Sequence, residues 1–512
     1  MSNANLYACL AGRFPEDPGK RRFAVLPDGR SYSYADLDTV SAQFANALIS
    51  LGVQPGDRVA AQVEKSVEAL MLYLGTLRAG GVFLPLNTAY TGAELGYFLG
   101  DAEPRVFVCD PARAEALGPI AAEAGARLET MGGYRPGELP EGSLVAKMQA
   151  AAGEFATLER GPDDLAAILY TSGTTGRSKG AMLTHDNLWS NAVTLCDYWR
   201  FTSDDVLLHA LPIFHTHGLF TSSNTVLAAG GSMIFLPKFD AGTVLEWLPK
   251  ASAMMGVPTF YGRLLDHPGF TRDLVAHMRL FTCGSAPLLA ETHVRFEART
   301  GHRILERYGM TETNMNTSNP YDGERRAGTV GFPLPGVEVK IADPVTGEDM
   351  PVGETGMIEV RGPNVFKGYW RMPEKTDEEK RTDGFFITGD LGVIDGRGYV
   401  TIVGRSKDLI ISGGFNVYPK EVEEVIDALD GVTESAVVGV AHPDFGEGVI
   451  AVVVPESGTA VSGDGIVAEL RDRLARFKQP KHVFLVDALP RNAMGKVQKK
   501  ELRERYADVF KE

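Results

Sequence analysis

Short apolar runs of strand type alternate with stretches of helical periodicity through most of the first four hundred residues of the chain. RVFVCD (Arg105–Asp110), LAAILYTS (Leu165–Ser172), VLLHALP (Val206–Pro212), SMIFLP (Ser232–Pro237) and RLFTCGSAP (Arg279–Pro287) each read as a buried strand. Between such runs, Val67, Leu70, Met71 and Leu74 recur at helical spacing. Strand–helix alternation predicts α/β layers around largely parallel sheets, because parallel neighbours need a crossover long enough to hold a helix. In such sheets ligands gather beyond the carboxyl ends of the strands.

After about Asp343 the pattern changes: VTGEDMPVGETGMIEVRG and GRGYVTIVGR read as short strands with Gly and Pro turns, a β-rich section. Beyond Gly404 comes a compact unit. PKEVEEVIDAL puts Val422, Val425, Ile426 and Leu429 on one helical face, with Pro419 suited to the first turn. The runs ESAVVGVAH and VIAVVVPE, a helix around Ile466, Leu470 and Leu474, and HVFLVDAL follow. The expected fold is therefore α/β, with a large N-terminal domain of layered sheets carrying a β-rich subdomain and a small mobile α+β C-terminal domain. The expected divisions are residues 1–404, a hinge at 405–407, and 408–512.

A net charge of −15 and a pI near 5.3 argue against a nucleic-acid protein or a binder of anionic membranes, while leaving small anionic substrates open to local cation clusters. MSNANLYACLAGRF lacks the pattern of a secretory signal, and ALMLYLGTLRAGGVFLPL is cut by Arg78 and the Gly80–Gly81 pair before reaching the ~18 apolar residues of a membrane span. Cys9, Cys109, Cys196 and Cys283 are scattered, with neither metal-ligand nor disulfide spacing, so a cytoplasmic chain with reduced thiols is expected.

Several short stretches carry chemistry. YTSGTTGRSKGAM (Tyr170–Met182) follows a buried strand and departs from the P-loop, since Gly180 stands after Lys179 where Ser or Thr belongs. Its backbone N–H groups, the hydroxyls of Thr171, Ser172, Thr174 and Thr175, and the charge of Lys179 suit phosphate oxygens. In ERYGMTET, Glu312 stands among hydroxyl residues and suits Mg2+, a hard cation that prefers oxygen ligands. FFITGDLGVID puts Asp390 on a glycine turn, suited to a ribose diol. VGRSKDLIISGGF carries Arg405, Lys407 and the Gly413–Gly414 pair, and LPRNAMGK carries Lys496 in a glycine-broken segment.

Taken in order, YTSGTTGRSKG, GSAP (Gly284–Pro287), YGMTE (Tyr308–Glu312), TGD (Thr388–Asp390), GRSKDLIISGG and PRNAMGK closely resemble the ANL superfamily of adenylate-forming enzymes, which includes the acyl-CoA synthetases. The resemblance runs from about residue 165 to 500, and the N-terminal part fits the family's first subdomain. It implies ATP, Mg2+ and coenzyme A as reactants and cofactor. A carboxylate is first joined to AMP with loss of pyrophosphate, and its acyl group then passes to a thiol. By similarity, Thr171, Ser172, Thr174, Thr175 and Lys179 hold phosphates, and Glu312 with Thr171 holds Mg2+. Tyr308, Gly309, Met310 and Thr311 form the adenine wall together with Gly284, Ser285, Ala286 and Pro287. Asp390 and Arg405 take the ribose, Lys496 bridges carboxylate and α-phosphate, Lys407 is the hinge, and Gly413 and Gly414 line the path to coenzyme A. In related synthetases a lysine acetyltransferase acts on the residue that matches Lys496.

The acid is read from the neighbouring residues. Arg307 precedes Tyr308 beside the expected acyl pocket, and a buried guanidinium is costly unless paired. TNMNTSNP, past Glu312, is polar where a fatty-acyl tunnel should be apolar. His215 and His217 point the same way if FHTHGL is extended, with His215 and Ser285 as candidate acyl-pocket residues. A short dicarboxylic acid satisfies these features, and ERYGMTETNMNTSNPYDG resembles the malonyl-CoA synthetases, which take malonate and often methylmalonate. An ion pair between Arg307 and Glu306 would instead leave the pocket neutral and fit a short-chain or aryl acid. A carrier-protein thiol in place of free coenzyme A, a luciferase-type oxygenase and a non-catalytic nucleotide sensor are the remaining readings.

Overall fold

The computed structural model describes residues 3–138, 140–171, 178–413, 415–471, 473–492 and 495–511, whose strands form four sheets of nine, seven, four and five strands. In the seven-stranded sheet, Arg58–Gln62, Val82–Pro85, Val106–Cys109, Arg127–Thr130 and Leu165–Thr171 run parallel. Helices Val67–Arg78, Gly92–Ala102 and Ala114–Glu123 make the crossovers. Every residue of Val67–Arg78 is buried, as its all-round apolar surface requires. Arg78 is tolerated there because its guanidinium donates to Tyr7, Asp38, Ser41 and the Phe155 carbonyl. Among the described residues no helix is long and apolar enough to cross a membrane.

The nine-stranded sheet has a parallel centre, with Val206–His209, Ser232–Phe235, Ala253–Gly256, Leu280–Cys283 and Leu305–Met310 as its main members. Asn314–Ser318 then returns antiparallel along Leu305–Met310. The four-stranded sheet is the β-rich section: Glu338–Ala342, Gly356–Arg361, Phe386–Ile394 and Val400–Arg405, all antiparallel.

Beyond residue 409, strands Ile410–Ser412, Phe415–Val417, Val432–His442, Gly446–Pro455 and His482–Leu485 form the fifth-strand-completed last sheet. Helix Pro419–Asp427 buries Val422 and Ile426 against it, joined by Val437, Val449, Ile466 and Leu470 in a core of their own. The class is thus α/β with a large layered N-terminal portion and a smaller α+β C-terminal portion. The two portions touch where Lys420 Nζ donates to the Ile402 carbonyl at 2.7 Å and where Gly495 packs on Thr259.

Candidate active site

The site is built from four places in the fold. The strands on either side of the phosphate-type loop pair antiparallel, with Thr171 and Lys179 as register partners. Ser172, Thr174 and Thr175 lie outside the described residues, as does Gly414. Lys179 Nζ donates to Glu379 Oε1 at 2.9 Å and lies 4.0 Å over the Tyr369 ring. The Tyr369 hydroxyl is 2.6 Å from Glu379 Oε2 and 3.1 Å from Glu312 Oε1. These contacts join Glu312, Tyr369, Glu379 and Lys179 into one polar chain. Burial pushes the Glu312 carboxyl up, and hydrogen bonds from Tyr369 and Lys179 hold Glu379 below its usual range against the opposing effect of burial. Glu379 and Tyr369 carry no motif that could have announced them; one follows a short helix and the other lies in a two-residue strand.

Mg2+ fits this corner. Glu312 and Thr171 offer only oxygen donors, the kind a hard cation such as Mg2+ prefers.

The second place is the carboxyl end of Leu305–Met310. Tyr308 is buried, and its hydroxyl donates to Asp390 Oδ2 at 2.6 Å. Asp390 Oδ1 forms an ion pair with Arg405 Nε at 3.0 Å. Each carboxylate oxygen has a second lone pair, so Asp390 can still accept from a diol. It sits within strand Phe386–Ile394 as the register partner of Arg405, not on the free glycine turn expected from TGD. Strand pairing carries Asp390 to Arg405, and Gly389 (φ 73°) supplies the local kink. Gly309 allows a close return of the chain, since a Cβ there would lie 1.8 Å from the Asn314 carbonyl oxygen. Met310 and Thr311 are half-buried beside it.

Third is the acyl side. Strand alternation sends Glu306 and Arg307 to opposite faces. Glu306 meets His293 Nδ1 at 3.0 Å and the Gly328 amide at 3.2 Å, so the neighbouring carboxylate is engaged elsewhere. Arg307 is 3 % exposed, and among the described residues its Nε and Nη2 have no hydrogen-bond partner. Burial lowers it to about 10, which leaves it charged at neutral pH. Gly284 makes room for the guanidinium, since a Cβ there would lie 2.4 Å from Nη1.

The following Ser285 holds a left-handed φ of 70°, a strained conformation for a non-glycine residue, and its Oγ lies 3.1 Å from His217 Nδ1. Ala286 and Pro287 continue the wall and are partly exposed. His217 Nε2 is buried and has no hydrogen-bond partner among the described residues. Burial, helped by the Arg307 charge, holds that imidazole well below its ordinary value and therefore neutral.

The two histidines do not share a face as an extended segment would place them. His217–Asn224 is a π-helix and His215 lies in the turn before it. His217 meets Ser285, while His215 is half-buried against Phe214 and lowered to about 4 by burial. The polar run Asn314–Ser318 is a fully buried strand whose side chains are largely engaged within the protein. Asn316 donates to Thr313, Thr317 to the Val330 carbonyl, and Ser318 accepts from Trp199. Its polarity serves that packing and is not by itself a record of the acyl pocket.

Fourth is the C-terminal loop. Gly495 (φ 74°) brings Lys496 in, and the Lys496 amide is anchored by Asn492 Oδ1 at 3.0 Å. Desolvation, with Arg405 and Lys407 nearby and Asp390 and Asp408 opposing them, lowers the Lys496 ammonium to about 8. Lys496 and the Asp390–Arg405 pair therefore share one locality. Lys407 is exposed on the turn Ser406–Asp408, next to the Asp408–Arg503 ion pair of 2.5 Å. Gly413 is not part of this assembly: it sits exposed on its own hairpin, with its amide donating to the Phe445 carbonyl.

Side chains of both portions of the chain thus come together around Asp390, Arg405 and Lys496, as in an AMP-binding enzyme. The AMP-binding enzyme family matches residues 13–370 and the AMP-binding enzyme C-terminal domain matches 421–496; the chain belongs to that family. It is similar to a feruloyl-CoA synthase of Amycolatopsis sp (39% identity over 487 residues, 94% of this chain and 96% of the relative). It is also similar to a malonate–CoA ligase of Arabidopsis thaliana (34% over 529 residues, 94% and 86%). ATP-bound MatB from Rhodopseudomonas palustris superposes with a TM-score of 0.97 at 61% identity, covering 99% of this chain and 100% of that one. Apo MatB, at the same identity and coverage, gives 0.85. At equal identity and coverage, this chain superposes more closely on the ATP-bound form than on the apo form.

Proposed function

We propose that this enzyme ligates malonate, and methylmalonate as well, to coenzyme A at the expense of ATP. The carboxylate attacks the α-phosphorus and pyrophosphate leaves. The coenzyme A sulfur then attacks the acyl carbonyl, its thiol proton is lost, AMP leaves, and malonyl-CoA is formed. Both steps bring anionic groups together, so positioning and charge neutralisation are what the chain's residues supply.

The observation that carries the choice of acid is Arg307: buried, charged, and without a carboxylate partner among the described residues. Leaving such a charge uncompensated costs about 3–5 kcal/mol. The second carboxylate of a C3 diacid supplies the missing partner, and His217 Nε2 supplies a further donor when Ser285 donates to Nδ1. Asp390 and Arg405 hold the ribose, Tyr308 stacks on adenine, and Lys179 with Thr171 holds phosphate. Lys496 neutralises the attacking carboxylate and the α-phosphate. Mg2+, held by Glu312 and the Thr171 hydroxyl, would neutralise triphosphate charge.

We take residues 1–404 as the large domain, 405–407 as the hinge and 408–512 as the mobile domain. Rotation about Lys407 would withdraw Lys496 and bring Gly413 and Gly414 to the thiol; the difference in TM-score between the two forms of MatB supports such a movement. Acetylation of Lys496 would remove the charge that adenylation uses. Four free cysteines suit a cytoplasmic enzyme.

The resemblance to a feruloyl-CoA synthase favours a second reading, an aryl-acid CoA synthetase with Arg307 structural. The test is AMP formation with malonate, methylmalonate, succinate, acetate, butyrate and a cinnamate. Turnover confined to the C3 diacids is expected, and preference for a monocarboxylate would overturn the choice of acid.

A further inference from the structure

Lys65 is a buried lysine the mechanism does not use, and burial pushes its ammonium well below the ordinary value. It lies between strand Arg58–Gln62 and Ser66, the N-cap of helix Val67–Arg78, where a positive charge gains nothing from the helix dipole. It is 6 % exposed, and among the described residues no carboxylate is paired with it. Its Nζ reaches His209 Nδ1 at 2.9 Å and the His209 carbonyl at 2.8 Å, and lies 4.2 Å over the Phe235 ring. His209, also buried, ends strand Val206–His209, and its Nε2 lies 2.9 Å from the Gly218 carbonyl and 3.2 Å from Ser223 Oγ.

The Gly218 carbonyl can only accept, so His209 Nε2 carries the proton given to it, and Nδ1 of the neutral ring accepts from Lys65 Nζ. Gly218 and Ser223 belong to the π-helix that begins at His217. π-Turns are uncommon and concentrate at functional sites, where something must hold them. Gly218 is tight on its other side too, since a Cβ there would lie 2.0 Å from the Pro212 carbonyl oxygen.

We propose that Lys65 and His209 form a buried positioning pair that fixes the tautomer of His209, pins the π-turn, and thereby aims His217 at the far carboxylate of the acid. The pair does not touch substrate; it acts through Gly218 and His217. This inference rests on the acyl-site reading above.

The test uses the full-length enzyme with Lys65→Met, which keeps the stem and removes the donor. His209→Phe and His209→Gln form a second comparison, because the glutamine amide retains a donor towards Gly218. We expect Lys65→Met and His209→Phe to raise the KM for malonate about tenfold, the value of one well-placed hydrogen bond. The preference for malonate over acetate should fall by a similar factor, with Mg-ATP affinity unchanged. His209→Gln should recover most of the loss. In histidine-labelled enzyme, 15N spectra should show His209 protonated on Nε2, and this signature should be lost in Lys65→Met. Unchanged malonate KM in folded Lys65→Met or His209→Phe would overturn the pairing, as would equal losses for malonate, acetate and ATP. If the wild-type enzyme prefers another acid, the acid assignment fails by itself; the pairing then stands or falls on the tautomer signature and on whether KM for that acid shifts.

Discussion

Arg307 and Lys496 are both desolvated cations near the Tyr308–Asp390 pair, yet they are supported in opposite ways. Arg307 stands on a strand hydrogen-bonded to neighbours on both sides, third from one edge of a nine-stranded sheet, with Gly284 cut away to admit it. Lys496 stands on a loop of the smaller portion, whose packing on the large one includes Gly495 against Thr259 and Lys420 against Ile402. A group that recognises the same anion throughout turnover is best placed on rigid sheet. A group needed in only one half-reaction is best placed where few contacts must break. On the proposed roles of the two residues, the difference in support corresponds to a division between recognition and timing.

The largest effect that would break this comparison is in Lys496→Ala. Adenylation, measured as pyrophosphate release, should fall 10²-fold or more, as about 3 kcal/mol of lost transition-state stabilisation requires. Thioester formation from supplied malonyl-AMP should be spared. Equal losses in both halves would make Lys496 a fixed residue like Arg307, and the division would disappear.

Arg307→Ala tests the fixed side. Losing one partner of a buried charge pair costs about 2–5 kcal/mol, so KM for malonate should rise about 10²-fold while KM for acetate moves little. The measurement is steady-state AMP formation with each acid. Similar shifts for both acids would return Arg307 to a structural role.

How much of this was legible in the sequence follows the same division. The alternation of strands and helices predicted the layers, because a parallel sheet imposes that rhythm directly on hydrophobicity. The motif residues marked the cleft, since glycines such as Gly309 stand where a backbone approach of 1.8 Å to a would-be Cβ leaves no alternative. What the sequence could not give was the partner of each charge. Arg307 beside Glu306 reads equally as an ion pair or as an open cation, and only the strand's alternation together with His293 decides it. The FHTHGL segment looks extended because nothing local announces a π-turn; the contacts that hold it come from His209 in a neighbouring strand. Asp390 reads as a turn residue until pairing with Val400–Arg405 makes it part of a strand. Long-range pairing, invisible to local pattern, accounts for all three.

A pH profile sharpens the comparison with a smaller effect. Lys496 is lowered to about 8, mainly by desolvation, whereas Arg307 remains near 10. The ammonium form is the working one, so kcat/KM for adenylation should be level below pH 8 and fall above it, towards about tenfold per unit. Lys496→Arg, which stays charged, should lack that descending limb whatever rate it retains. A limb that persists in the arginine variant belongs to another group.

The smallest effect concerns a third cation, Lys179, which is intermediate between the two. It stands on a strand like Arg307, but its ammonium already has a carboxylate partner, Glu379 at 2.9 Å. The phosphates of ATP must compete with that carboxylate for the same charge. Glu379→Gln removes the competing charge and leaves an amide oxygen to accept from Tyr369. The pair is partly exposed, 14% and 21%, so its worth is discounted to ~1 kcal/mol or less. Mg-ATP binding measured by calorimetry without acid should therefore tighten about two- to fivefold. Weaker binding would mean that Glu379 aims Lys179 and does not compete for it. Lys179 would then belong with Arg307, as a cation whose position is set before any ligand arrives.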